Sequence, residues 1–197
     1  MAPGPAVSGR RFVLLDRDGT INEELVGEYV LRPESLVLIP GAIDGIRILR
    51  DLGFGVVVVT NQSPVGRAWI TIRELDAIHD RLREMLAAGG ASVDRIYACP
   101  HEHEDGCDCR KPRPGLALRA AAELGFDPSD AFVVGDHESD VGLGRAIGAT
   151  TILVRSGYGA EEAANGATEL ADHVADDLRQ AAGIIRDLVA SGEPATR

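Results

Sequence analysis

Five short, uninterrupted runs of largely apolar residues alternate along the chain with segments of helical periodicity, and three of the runs break off at polar or acidic residues. Residues 11–15 end at Asp16-Arg17-Asp18-Gly19, residues 55–59, four of them valine, end at Thr60-Asn61-Gln62-Ser63, and residues 131–134 end at Gly135-Asp136. The other two runs are 95–98 and 151–154. Runs this short and this apolar read as strands buried on both faces. Between them, residues 41–52 place Ile43, Ile46, Ile48 and Leu49 at near-helical spacing before Gly53. Residues 71–88 set Leu75, Ile78, Leu82, Met85 and Leu86 on one face behind a Thr71/Glu74 capping-box signature. Further helices are expected over 114–124, entered at Pro114 and closed by Gly125, over 139–147 and over 176–189. Ser139 or Asp140 would cap the helix at 139–147. The Gly/Ala-rich stretch 156–169 reads as loop, and His173-Val174 as a last short strand.

Strand alternating with helix predicts an α/β fold, a doubly wound (Rossmann-like) parallel sheet flanked by helices. In such sheets the ligand lies beyond the carboxyl ends of the strands, where the three polar run-ends fall. No internal repeat or linker divides the chain. Residues 1–9 are expected to be a flexible arm, 10–190 a single domain and 191–197 a frayed tail. No surplus apolar helix face stands out, so a monomer is the expectation.

Composition narrows the function. With 20 Lys+Arg against 31 Asp+Glu, the net charge is −11. That disfavours nucleic acid and anionic membranes as partners, and taken alone it disfavours a phosphorylated substrate as well. Aromatic residues make up only 4% of the chain, so Ala, Val, Ile and Leu must build the core. No apolar run approaches a membrane span and the N-terminus lacks a signal core, which points to the cytoplasm.

Asp16 and Asp18, two apart at a strand end, can face one site. Two close carboxylates repel unless a cation or a shared proton relieves them, and Mg²⁺ with its preference for oxygen ligands suits them. One carboxylate can also act as a nucleophile while its neighbour moves protons. A solvated Asp turn is the plain alternative. The polar groups of Thr60, Asn61, Gln62 and Ser63 can hold phosphate oxygens, or form an ordinary polar turn. Lys111 can offset charge on a transferring phosphoryl group, and Asp136 is a natural further metal ligand.

Taken in order, Asp16-Arg17-Asp18-Gly19-Thr20, Thr60-Asn61-Gln62, Lys111 and Gly135-Asp136 with Asp140 resemble the four motifs of the haloacid dehalogenase-like (HAD) phosphohydrolases, over residues 12–155. The resemblance implies that Asp16 is the nucleophile, Asp18 the general acid/base, and Thr60 and Lys111 the phosphoryl-holding groups. It also implies that Mg²⁺ is bound by Asp16, by the Asp18 carbonyl and by Asp136. With no long insertion after Thr20 or between Thr60 and Lys111, a large cap domain is not expected and the site should be open.

The three cysteines, Cys99, Cys107 and Cys109, fall within eleven residues. Together with His101 they have the Cys₃His composition of a structural zinc site, with His103 as a competing ligand. This loop, running into Arg110-Lys111-Pro112, is similar to that of two capless zinc-containing groups, the heptose-bisphosphate phosphatases and the histidinol-phosphate phosphatases. Thr60-Asn61-Gln62-Ser63, the Asn22 region, Tyr29-Val30 and Lys111-Pro112-Arg113-Pro114-Gly115 look more like the former. That likeness implies that Arg110 and Arg67 contact the substrate, a small phosphorylated sugar favoured as a heptose 1,7-bisphosphate cut at its 7-phosphate. The sequence departs from the usual pattern at Pro64-Val65-Gly66-Arg67-Ala68, and at His137, where a Lys is usual. The rival readings are a histidinol-phosphate phosphatase, a broader sugar or nucleotide phosphatase, and an inactive phosphosugar-binding protein. Trp69 is expected to pack at a helix entry or touch substrate from the rim. His79 is expected on the surface, and His137 either at a substrate phosphate or behind the residues that touch it.

Overall fold

The five apolar runs are strands, and His173–Ala175 adds a sixth. The structure is a computed structural model that describes residues 9–24, 29–164 and 170–192. Most of the expected arm, part of the 156–169 loop and most of the expected tail lie outside the described residues. The strands are β1 (Phe12–Leu15), β2 (Gly55–Asn61), β3 (Arg95–Cys99), β4 (Phe132–Gly135), β5 (Thr150–Val154) and β6 (His173–Ala175). They form one parallel sheet in the order β3-β2-β1-β4-β5-β6. The chain winds outward from β1 in one direction and from β4 in the other. The crevice between β1 and β4 is therefore the topological switch point, where ligands bind in sheets of this kind.

Period-two alternation divides the strand residues between two cores. Val13, Leu15, Val56, Val58, Phe132 and Val134 pack on one face with α1 (Ala42–Asp51), α3 (Ile72–Ala88) and α7 (Leu178–Ser191). Phe12, Leu14, Val57, Val59 and Val133 pack on the other with α4 (Gly115–Leu124) and α5 (Glu138–Ile147). The capping box at Thr71 is formed in full. Ile70 and Leu75, the two positions of a hydrophobic staple, bury in the same core. A short helix, α2 (Ser63–Gly66), follows β2, and α6 (Gly159–Ala164) interrupts the segment expected to be loop. Ala160, Glu161, Glu162, Ala163 and Ala164 favour helix once Gly159 has opened the turn. Among the described residues no helix is long and apolar enough to cross a membrane.

One aromatic residue, His79, sits differently from expectation. His79 is buried at 5% exposure, because it lies four residues after Leu75 and three before Leu82, on the apolar stripe of α3. Trp69 is half exposed and does not enter the core. Its face carries the guanidinium of Arg67 at 5.0 Å, and the Tyr29 ring stands edge-on at 5.5 Å.

Leu82, fully buried in α3, and Thr71, which only caps it, set different scales of stability. Leu82→Ala should cost about 2–5 kcal/mol and Thr71→Ala about 1 kcal/mol, both read from urea denaturation midpoints.

Candidate active site

Strand register brings the polar run-ends into one layer. Leu15 pairs with Val58 on one side and with Val134 on the other, so Asp16 and Asp136, just past the ends of β1 and β4, come level with Thr60 near the end of β2. The Asp16 N–H donates to the Val134 carbonyl at 2.9 Å, which holds the first residue after β1 against β4. These residues, with Asp18, Lys111 and Ser139, line a cavity of about 410 Å³ whose mouth carries Tyr29, Arg67, Trp69 and Arg110.

The floor of the cavity is crowded with carboxylates. Oxygens of Asp16, Asp136 and Asp140 lie within 4.8 Å of one another. The buried Lys111 is the cation among them, its Nζ donating to Asp140 at 2.6 Å and pairing with Asp16 at 2.8 Å. Burial, reinforced by Asp140 and Asp18, pushes Asp16 up to about 6 against the pull of Lys111. Burial, with Asp16 and Asp140 adding to it, pushes Asp136 up to about 9. Lys111 goes the other way: burial disfavours its charge, but Asp140 and Asp16 outweigh that and hold the ammonium protonated. Glu24, at the cavity wall, is pushed up to about 7 by burial and by Asp18 and Asp16.

Asp136 is wedged in place. Its carboxylate accepts the Tyr158 N–H at 2.9 Å. Gly19 (φ +77°) and Gly157 (φ +57°) close around it, and a Cβ on either would collide with that carboxylate. Both positions combine a left-handed backbone with a space only a hydrogen can fill.

Asp18 is held apart from this cluster. Arg17 grips both of its oxygens, at 2.7 and 2.8 Å from Nη2. The side-chain amides of Asn22 and Gln62 each donate to it at 2.8 Å. Burial opposes ionisation of Asp18, but Arg17 and these hydrogen bonds together outweigh it and hold the carboxyl below its ordinary value.

The thiol cluster sits two residues from Lys111. Sγ atoms of Cys99, Cys107 and Cys109 lie 3.2, 3.4 and 3.6 Å apart, and His101 Nδ1 lies 3.1 Å from Cys109 and 3.7 Å from Cys99. A tetrahedron with Zn–S bonds of about 2.3 Å has S···S edges of about 3.8 Å, so the donor set matches such an ion in number and type, with sulfur spacings a few tenths of an ångström tighter. His103 is exposed and outside the cluster. Arg110 donates to the His101 carbonyl at 3.2 Å, and Arg67 pairs with Glu102 at 3.3 Å, which ties the cavity mouth to this loop.

The chain is similar to known proteins over most of its length. Residues 108–181 match the HAD-hydrolase-like family model. A D-glycero-beta-D-manno-heptose-1,7-bisphosphate 7-phosphatase of Pseudomonas putida is 40% identical over 182 residues, covering 91% of this chain and 99% of that protein. A D-glycero-D-manno-heptose-1,7-bisphosphate 7-phosphatase of Chlorobaculum tepidum is 40% identical, covering 87% and 92%. The crystal structure of a D,D-heptose 1,7-bisphosphate phosphatase from B. bronchiseptica, complexed with magnesium and phosphate, superposes with a TM-score of 0.84 at 34% identity, covering 90% of this chain and 98% of that one. The chain belongs to the HAD-like heptose-bisphosphate phosphatase family. A second structure from that family, from Burkholderia thailandensis, gives a TM-score of 0.69 at 31% identity.

Within this family member the site residues read from sequence divide into two sets. Asp16, Asp18, Thr60, Asn61, Ser63, Arg67, Arg110, Lys111 and Asp136 all line the one cavity. Gln62 does not: it is buried, and its amide donates to Asp18 and, at 2.9 Å, to Thr60. Asn61 reaches the cavity wall, but both ends of its amide are bound to the main chain of Lys111, at 3.0 and 3.2 Å. The cap of α5 is His137 and not Ser139 or Asp140. Its Nδ1 accepts the Ser139 N–H at 3.1 Å, while Nε2 faces Glu162 at 3.3 Å. Asp140 completes that box and braces Lys111. Sequence reasoning gave no role to Arg17, His79, Glu24 or Tyr158. For Arg17 a signal existed, since a cation between two acids in Asp16-Arg17-Asp18 has an obvious partner.

Asp16 and Asp136 hold protons more tightly in the folded chain, at about 6 and about 9, than at their ordinary value of 3.8. Their contribution to stability is therefore complete below pH 3.8 and is lost as pH rises through 6 and then 9. Metal-free protein should melt at a lower temperature at pH 8.5 than at pH 5, and added Mg²⁺ should raise Tm more at pH 8.5. A Mg²⁺ effect equal at both pH values would contradict the electrostatic account.

Proposed function

We propose that the chain is a Mg²⁺-dependent phosphatase that removes the 7-phosphate of D-glycero-D-manno-heptose 1,7-bisphosphate. The observation that carries this reading is the pairing of Asp16 with Lys111 inside a carboxylate cluster at the switch point of the sheet, beneath a mouth lined by two arginines. The substrate named for the family's relatives in Pseudomonas and Chlorobaculum supports the choice of sugar.

Asp16 attacks phosphorus in line, forming an aspartyl-phosphate as the bond to the C7 oxygen breaks, and Asp18 gives that oxygen its proton. Water then attacks the phosphorus while Asp18 takes its proton, which releases phosphate and frees Asp16. Arg17 keeps Asp18 ionised in the empty site, the form that acts as base. An incoming phosphate dianion opposes Arg17 and favours the protonated form that acts as acid. Lys111 and the Thr60 hydroxyl hold phosphoryl oxygens, Asn61 fixes the Lys111 main chain, and Gln62 aligns Asp18 with Thr60.

Fully ionised, the three carboxylates against one ammonium would carry two negative charges, and the burial and mutual repulsion that keep a proton on Asp136 would be relieved by a divalent cation with oxygen ligands. Asp16, Asp136 and the Asp18 carbonyl would hold Mg²⁺, which when bound offsets charge on the phosphoryl oxygens. Cys99, His101, Cys107 and Cys109 would hold a structural Zn²⁺, since all four positions of a tetrahedron are filled by protein atoms. Arg67, stacked on Trp69, and Arg110 meet the second phosphate, with Ser63 beside them.

The deciding experiment is phosphate release with Mg²⁺ from heptose 1,7-bisphosphate, histidinol phosphate and common sugar phosphates, side by side. The bisphosphate should have the highest kcat/KM, and Asp16→Asn should lower kcat by at least about 10³-fold without unfolding the chain. Preference for histidinol phosphate would transfer the activity to the rival substrate. Substrate binding without release by the wild type would make this a binding protein.

A further inference from the structure

Arg17 is a cation with almost no access to water, at 1% exposure. A guanidinium has five N–H donors and no acceptor. One edge is committed to Asp18, through Nε at 3.1 Å and Nη2 at 2.7 and 2.8 Å. The remaining nitrogen, Nη1, lies 3.2 Å from Nε2 of His79, which reaches it from α3. Because arginine only donates, Nε2 of His79 accepts, so the ring is neutral and its proton is on Nδ1. Burial and the adjacent guanidinium hold His79 down at about 3, so it stays an acceptor at any pH where the enzyme is folded and active. His79 touches neither the cavity nor the carboxylate cluster. Its contact holds the far end of the guanidinium plane, and that plane, together with the Asn22 and Gln62 amides, orients the Asp18 carboxylate.

We propose that His79 is a positioning residue for phosphoryl transfer, aiming Asp18 at the leaving oxygen by way of Arg17. The inference rests on the reading of Asp18 as the acid/base of the reaction.

A histidine that merely fills the core and one that aims a proton donor differ in their dependence on the leaving group. An aryl oxygen departs from phosphorus with little help from a proton, whereas a sugar alkoxide needs one. The ratio of kcat/KM for heptose 1,7-bisphosphate to kcat/KM for p-nitrophenyl phosphate therefore reports how well Asp18 is aimed, and the fraction of folded enzyme cancels from it. His79→Leu, and the longer His79→Met, remove the acceptor. Each should lower the ratio about tenfold, a fraction of what a general acid contributes, with the loss on the heptose ester and less than about twofold on the aryl ester. His79→Gln, whose amide oxygen can accept from Arg17, should restore most of it. Asp18→Asn, measured in parallel, separates the two layers of the argument. If Asp18→Asn lowers the ratio while His79→Leu and His79→Met leave it unchanged, the role of His79 is overturned and that of Asp18 stands. If Asp18→Asn leaves the ratio unchanged, the acid role of Asp18 falls, and this inference falls with it.

Discussion

The repulsion among Asp16, Asp136 and Asp140 is the constraint around which the rest of the molecule is arranged. Their oxygens lie within 4.8 Å of one another at the floor of the cavity, largely withdrawn from bulk water, and a single lysine lies among them. Removing charges from water costs several kcal/mol each unless opposite charge and hydrogen bonds repay it. The fold supplies what is needed to hold them there. Parallel pairing of β1 with β4 fixes Asp16 beside Asp136, and two side-chain-free positions clamp Asp136. The N-terminal turn of α5 supplies Asp140, which braces Lys111. A net charge of −11 thus does not repel a phosphorylated ligand. Part of the acidity is concentrated where a divalent cation would relieve it, and the arginines stand at the rim.

Lys111 reaches this cluster from a loop, and loops are poor at precise placement unless tied down. Three devices do so. The thiol and imidazole cluster ends two residues before Lys111, Asn61 binds both polar groups of the Lys111 main chain, and Arg113 donates to the Cys107 carbonyl at 2.6 Å. The same loop carries Glu102 against Arg67 and the His101 carbonyl against Arg110. One short segment therefore orients both the buried Lys111 ammonium and the rim cations, and with no large cap domain among the described residues such segments are what shape the mouth.

Much of this was legible in the residues alone. Apolar runs that stop at Asp16, Thr60 and Asp136 locate the carboxyl edge of the sheet, and local spacing places His101 with the three cysteines. What local pattern does not carry is which group an amide or imidazole faces across the sheet. Asn61 and Gln62 look like phosphate ligands by position, yet the registers that align Leu15 with Val58 and Thr60 with Ala98 turn their amides toward Lys111 and Asp18. His79 was misjudged for a simpler reason: its polarity outweighed its place on the apolar stripe of α3, four residues after Leu75. His137 caps α5 because its Nδ1 can accept as a Ser or Asp oxygen does, a role residue preferences assign to its neighbours.

The central claim is that Asp16 itself carries the phosphoryl group between substrate and water. Borohydride reduces an acyl phosphate, leaving homoserine where the aspartate stood. Wild-type enzyme mixed with heptose 1,7-bisphosphate and Mg²⁺, quenched within one turnover and reduced, should yield homoserine at position 16 by peptide mass spectrometry. Homoserine at another acidic position, or none in enzyme that is turning over, would contradict the account.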